Sequence, residues 1–184
     1  MEMELRVQRP CCYWLTGLPG AGKSTIAAYT VRFFNDHGCR AIGLDGDVLR
    51  DGLSRDLGFT PQDRAENVRR ASEVARLLVE AGLIVIVSLI SPGRAGRDAA
   101  MARIGPYRCF EVYIDASPEV CAGRDTKGLY ALARVGDIRD LTGWNAPYEE
   151  PYSPAIHIRT AETPIDESAD QIVRHYLNLD RHAE

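Results

Sequence analysis

The sequence predicts an α/β fold: a five-stranded, mostly parallel sheet between layers of helices. Three observations lead there. Short apolar runs alternate along the chain with stretches of helical period. The run LIVIVSL at 83–89 is apolar on both faces, as buried parallel strands tend to be. A glycine-rich turn, GLPGAGKS, joins the first run to the first helical stretch.

Taken in order, residues 11–16 (CCYWLT) read as a short apolar strand. The glycine-rich turn follows, then a helix over about 23–37 that Gly38 closes. Residues 40–45 form a second strand. A long helix is expected over 61–81, with Thr60 as N-cap, Pro61 in the first turn and Gly82 beyond the end. Its apolar positions Val68, Ala71, Val74, Ala75 and Leu78 recur at helical spacing. The strand at 83–89 comes next, then a helix over 94–103, a strand over 110–115 and a short helix over 118–124. Residues 126–150 are polar, contain glycine and show no clear period; so long a segment inside a compact domain is usually functional, and a lid is expected. Residues 156–159 are the fifth strand. Thr163 is expected to cap a last helix, with Pro164 in its first turn and an end near Leu179. No repeat, low-complexity tract or linker interrupts the chain, so residues 1–184 are expected to be one domain.

Composition narrows the class. Hydrophobic residues at 45% and charged residues at 26% suit a globular protein with a real core. The longest apolar run is far short of the ~20 residues that span a membrane. The first ten residues carry two glutamates and two arginines and no apolar core, so they read as neither a secretion nor a targeting signal. A cytoplasmic protein without a membrane partner is expected. A net charge of −4 argues against a nucleic-acid binder. The five cysteines form no CxxC pair and read as small buried hydrophobes. The four histidines are scattered and suit surface or packing roles. Of 22 basic residues only Lys23 and Lys127 are lysines, which draws attention to both.

The turn matches G-x-x-x-x-G-K-[ST]. Gly17, Gly20 and Gly22 allow a backbone that turns several N–H groups inward on phosphate oxygens. Lys23 brings a point charge to the β and γ phosphates, Ser24 offers a hydroxyl to Mg²⁺, and the helix that follows directs its positive end at the same anion. With strand before and helix after, a P-loop NTPase-type three-layer fold is expected.

Such loops usually draw a magnesium carboxylate from the end of the central strand, but LIVIVSL ends in Ser88 and Leu89. The nearest acids are Asp45 and Asp47, in LDGD after the second strand. One can hold Mg²⁺ through water, while the other orients an acceptor hydroxyl or takes its proton. Either can instead simply cap the helix after Gly46. Arg50, Arg55, Arg64, Arg69 and Arg70 follow closely and suit an anionic substrate, although Arg69 and Arg70 also fit a salt-bridged helix face. Phe59 can stack on a base or plug the core.

The stretches GLPGAGKST, LDGDVLRDGLSRDLGFTPQDRAENVRR, EVARLLVEAGLIVIVSLISPGRAGRD and EVYIDASPEVCAGRDTKGLY, followed by ARVGDIRDLTGWNAPYEEP, resemble the adenylylsulfate kinase family in order and spacing. The resemblance runs from about residue 12 to 151. It implies transfer of the γ-phosphoryl of ATP to the 3′-hydroxyl of adenylyl sulfate, with Mg²⁺, in a homodimer that can associate with ATP sulfurylase. By matching position, Gly20, Ala21, Gly22, Lys23, Ser24 and Thr25 would hold ATP, with Arg124 near its phosphates and Thr163 near its base. Asp47, Arg50, Phe59, Arg64, Asn67, Ile90 and Ser91 would face adenylyl sulfate, Phe59 stacking on its adenine. Ser24 and Asp45 would serve the metal, and Lys127 and the segment after it would form the closing lid, with Lys127 and Leu141 contacting the substrate. Lys23, Asp47 and Ser91 are the candidate catalytic residues. Ser91 matches a serine regarded as phosphoserine-forming in bacterial members, but in-line transfer needs positioning and charge stabilisation rather than a covalent intermediate, so substrate binding is expected of it. A helix cap beside Pro92 is its other reading.

The chain departs from the family pattern in places. Val48 replaces the asparagine of DGDN, and Ala131 and Leu132 replace two lid lysines. Gly93 and Gly96 replace a ring or histidine and an acid, and Leu141 replaces the second aromatic face of the adenine clamp, for which Trp144 can either compensate or only pack the lid. These changes are expected to cluster around the acceptor pocket. They leave open a relative acting on a different nucleotide-like anion, or a non-catalytic nucleotide-binding module.

Overall fold

The computed structural model describes residues 8–179. The start of the amino-terminal stretch read above for targeting, and His182, lie outside them. Five strands form one parallel sheet: β1 (Cys11–Thr16), β2 (Ala41–Asp45), β3 (Ile84–Ser88), β4 (Cys109–Asp115) and β5 (Ile156–Arg159), in the order β2-β3-β1-β4-β5. Every residue of β1 and β3 is buried, because both strands lie inside the sheet with helices on both faces.

The two-residue period of β1 divides the core. Cys11, Tyr13 and Leu15 join Ile84, Ile86 and Ile114 on one face, under α1 (Lys23–Asp36) and a carboxyl-terminal helix at Ile165–Asn178. Cys12 and Trp14 join Val85 and Val87 on the other. There the helix Pro61–Glu80 supplies Val68, Ala71, Ala75 and Val79, and the helix Arg94–Ile104 supplies Ala100 and Ile104. All five cysteines are free and buried.

Numbered in chain order, the helices after α1 are α2 (Gly46–Asp51), α3 (Pro61–Glu80), α4 (Arg94–Ile104), α5 (Pro118–Arg124), α6 (Leu129–Arg134) and α7 (Ile165–Asn178). Thr60 caps α3, its hydroxyl accepting from the Asp63 amide. Ser117 caps α5 in the same way.

Two expectations need correction. Thr163 does not cap α7: Pro164, in extended conformation, takes the N-cap position, and its carbonyl accepts from the Ser168 amide. Residues 126–150 are not wholly irregular, since α6 lies among them. The Asp125 carboxylate accepts from the amides of Tyr130 and Ala131 and so satisfies two donors of the first turn. A helix of six residues is too short to print a period on the sequence.

The chain leaves β1 towards β2 and β3, and leaves β3 for β4 on the other side. Connections therefore diverge beside β1, and the crevice outside the carboxyl ends of its neighbours is where this architecture binds ligands. No helix among the described residues is long and apolar enough to cross a membrane.

Candidate active site

A cavity of about 930 Å³ opens at that crevice. One wall is the loop between β1 and α1. Gly22 holds φ 105° before the first turn of α1, a left-handed conformation that turns the chain into the helix and favours glycine. Gly17 stands at φ 151° where an added Cβ would lie 2.2 Å from the Ile114 carbonyl oxygen, so only glycine lets the loop leave β1 against β4. Gly20, Ala21, Gly22, Lys23, Ser24 and Thr25 line the cavity; Gly17 does not.

The Lys23 ammonium is buried and donates to the carbonyls of Gly17 and Leu18, each at 2.8 Å. Burial pushes its pKa down from the ordinary 10.5 to about 8, with Asp45 and Asp47 pulling the other way. The loop is clipped from outside. Arg124 donates to the carbonyls of Gly20 and Ala21 and to the hydroxyl and carbonyl of Thr160. The Thr160 hydroxyl donates to Ala21 at 2.9 Å. Arg124, Thr160 and Thr163 all border the cavity.

The acids divide cleanly. Asp45 ends β2 directly opposite Ser88, the last residue of β3. One of its oxygens accepts from Ser24 at 2.6 Å and from Ser88 at 2.8 Å; the other accepts from the Asp47 amide at 2.9 Å and so caps α2. Burial opposes ionisation of Asp45, but these three donors outweigh it and hold the carboxyl below its usual pKa. The capping role and the phosphate-loop role thus fall on one residue through its two oxygens. Asp47 projects from the first turn of α2 and is paired with Lys127.

At the far end the cavity is lined by Arg50, Phe59, Arg64, Asn67, Ile90 and Ser91. Phe59 is 60% exposed, so it does not plug the core. Its ring lies against two guanidiniums, Arg50 at 4.5 Å and Arg64 at 5.6 Å. Burial lowers the pKa of both arginines, the mark of cations partly stripped of water. The buried side-chain amide oxygen of Asn67 has no hydrogen-bond partner among the described residues, a costly arrangement unless a ligand donates to it. Arg69 and Arg70 are held by Glu66 and Asp56, outside the lining, and Arg55 also lies outside it.

Ser91 is buried with φ 47°, strained for a residue with a side chain. Its hydroxyl accepts from the Trp14 indole at 3.0 Å. The helix-cap reading of Ser91 is corrected: Gly93 is the N-cap of α4 and makes no side-chain cap.

The departures do not cluster at the acceptor end. Val48, Gly93, Gly96, Ala131, Leu132 and Trp144 all stand outside the cavity lining. Leu141 alone borders it, and it is otherwise buried in the core beside Tyr130 and Leu18. Trp144 packs its ring edge-on against Tyr130 and cannot take the place of Leu141. Sequence reasoning missed Ser88 and Thr160, whose signal is a hydroxyl at or just beyond the carboxyl end of a strand.

The model of the adenylylsulphate kinase family matches residues 9–159. The adenylyl-sulfate kinase of Burkholderia ambifaria is 51% identical over 161 residues, covering 88% of this chain and 89% of that protein. The bifunctional enzyme NodQ of Rhizobium sp. (strain N33) is 48% identical over 178 residues, covering 97% of this chain but 27% of its own. Among solved structures, the Mycobacterium tuberculosis APS kinase CysC in complex with AMPPNP and APS superposes with a TM-score of 0.86 at 42% identity, covering 91% of this chain and 97% of that one. The hexameric APS kinase of Thiobacillus denitrificans gives 0.71 at 28% identity, over 96% of this chain and 30% of that one. This chain belongs to the adenylylsulphate kinase family.

Proposed function

We infer that the protein transfers the γ-phosphoryl of ATP to the 3′-hydroxyl of adenylyl sulfate. The observation that carries this is one cavity with a phosphate loop at one end and, at the other, an aromatic ring beside two partly buried guanidiniums. An adenine fits the ring of Phe59, and the sulfate and phosphate of the acceptor fit Arg50 and Arg64. Asn67 and the Ile90–Ser91 turn complete that pocket. Leu141 gives the adenine an apolar second face.

At the donor end the amides from Gly20 to Thr25 and the start of α1 hold the phosphates, with Arg124 fixing the loop and Thr163 near the base. Lys23 moves from the loop carbonyls to the transferring phosphoryl and offsets its charge. The oxygens of Ser24 and Asp45, 2.6 Å apart, form a hard donor pair suited to Mg²⁺ and its water shell. Bound there, Mg²⁺ would neutralise charge on the β and γ phosphates. Asp47 orients the acceptor 3′-hydroxyl and takes its proton, and Lys127 brings residues 126–150 over the site as a lid within a single domain.

The protein is proposed to work in the cytoplasm, where its nucleotide donor is made, and as a homodimer that can associate with ATP sulfurylase. The bifunctional relative, of whose length the chain spans 27%, is in keeping with a partner enzyme. Light scattering of the purified protein tests the dimer.

A panel of nucleotide acceptors with Mg²⁺ and ATP tests the reaction. Formation of 3′-phosphoadenylyl sulfate is expected. Brisk phosphorylation of another acceptor, with none of adenylyl sulfate, would favour the second reading, a relative with a different anionic substrate, for which Leu141 is the one lining departure. Nucleotide binding without any transfer would mark a non-catalytic module.

A further inference from the structure

Arg97 lies outside the cavity, on α4, and its side chain is 1% exposed. Each of its three nitrogens has a separate partner. Nε donates to the Glu111 carboxylate at 2.6 Å, one terminal nitrogen to the Ser91 carbonyl at 2.7 Å, and the other to the Glu149 carbonyl at 2.7 Å. Glu111 sits on β4 and is nearly buried itself, so the guanidinium is anchored to the sheet before it reaches the two carbonyls. A buried cation is costly unless paired and fully bonded, and here the pairing orients its remaining donors.

The two carbonyls belong to two parts of the acceptor side outside its helices and strands, the turn after β3 and the end of the segment that follows α6. Ser91 holds φ 47°, a conformation that persists only when its surroundings impose it. Its hydroxyl is fixed by Trp14 and its carbonyl by Arg97, while the Ile90 carbonyl accepts from Thr16 at 2.7 Å. Both carbonyls of the turn are thus drawn into the body of the protein, and its other side forms cavity wall. Glu149 closes the segment that carries α6. Its amide donates to the Pro92 carbonyl, its carboxylate accepts from the Arg94 amide, and its carbonyl takes the second arm of Arg97. Tyr148, beside it, lies under the Arg97 guanidinium at 5.7 Å and shares a hydrogen bond with Thr16.

We propose that Arg97 is a positioning residue for the acceptor: it imposes the strained Ile90–Ser91 turn and fixes the carboxyl end of the lid segment to it in one guanidinium. The donor end is not tied to it, since Lys23, Ser24 and Arg124 have no bond to Arg97 or its partners among the described residues. The proposal rests on the acceptor reading given above.

Two variants test it. Arg97→Lys keeps the charge beside Glu111 but cannot span three divergent partners. The paired change Arg97→Met with Glu111→Leu removes both buried charges together, so neither is orphaned, and deletes the two tethers. Initial rates are measured for each substrate in turn. In both variants KM for adenylyl sulfate should rise at least about tenfold, as expected for lost positioning, while KM for ATP stays within about twofold. Unchanged acceptor KM, or equal rises for both substrates, would overturn the proposal, the latter meaning general damage to the fold. Failure of the paired variant to fold leaves the answer to Arg97→Lys. Failure of the unaltered protein to turn over adenylyl sulfate would overturn the acceptor reading; the same KM comparison with the acceptor the protein does use then decides the role of Arg97.

Discussion

The ammonium of Lys127, just after α5, donates to the carboxylate of Asp47 in the first turn of α2. Both side chains are more than half exposed, and such pairs contribute ~0–1 kcal/mol to folding. The pair joins the segment above the cavity to the acid proposed to receive the acceptor proton. Lys127→Met is therefore expected to leave the melting temperature nearly unchanged and to lower kcat/KM for the acceptor by roughly a hundred- to a thousandfold, the range for one lost donor to charge developing at the reacting end. Steady-state kinetics beside a thermal melt give the answer; near-normal kcat/KM would remove Lys127 from the reaction.

Lys23 carries a pH signature. Its folded pKa of about 8 lies below the ordinary 10.5 because burial disfavours the ammonium. Between those two values the unfolded chain binds more protons than the folded one, so this group makes stability rise with pH across that window. In Lys23→Met the rise from this group should vanish, which chemical denaturation at a series of pH values would detect. Because phosphates favour the charged form, ATP binding above pH 8 should take up a proton. Calorimetry in two buffers of different ionisation enthalpy measures it, and no buffer dependence would count against the assigned contact. The same variant should lose kcat by about a hundredfold or more.

Ser91→Ala separates two roles. The hydroxyl accepts from the buried Trp14 indole, so its loss should cost about 1–3 kcal/mol of stability through an unsatisfied donor. Turnover within a few-fold of the unaltered enzyme is expected alongside. Abolished turnover with intact folding would instead point to an obligatory phosphoserine.

Leu141→Phe restores the ring that the family pattern has at this position, but the site is 5% exposed and packed in the core. Overpacking should lower folding stability by about 1–3 kcal/mol, while adenylyl sulfate binds more tightly by about 0.5–1.5 kcal/mol through the added ring contact. Urea denaturation and a direct Kd for adenylyl sulfate measure the two effects separately.

Wherever contiguous residues dictate the outcome, the sequence was readable. β1, α5 and β5 stand where composition and caps place them, and the phosphate loop lies whole within one turn. Asp45 was legible as a candidate because it closes a strand, yet its division between cap and Ser24 was not, since that needs Ser88 on the neighbouring strand. The acid comes from β2 rather than β3 because these strands are adjacent in the sheet. Arg97 and Thr160 stayed hidden because each is tied to a backbone carbonyl far away in sequence, Glu149 for Arg97 and Ala21 for Thr160, and a carbonyl leaves no mark on residue type. The departures misled because a sequence position near a motif need not face the cavity, as Val48, 69% exposed on α2, shows.

The anchoring of Glu149 against Pro92, Arg94 and Arg97 has a mechanical consequence. The segment is held at Tyr130 as well, whose buried hydroxyl donates to the Pro19 carbonyl, so freedom near its start is confined to the residues before α6. There Asp125 at φ 22° and Gly128 at φ 69° already bend the chain sharply before α6. An insertion at 147–150 should accordingly be rejected, because one added residue would slip the bonds of Glu149 out of register, and one at residue 140 should disturb the acceptor pocket, because the Asp140 carbonyl accepts from Arg64 beside Phe59.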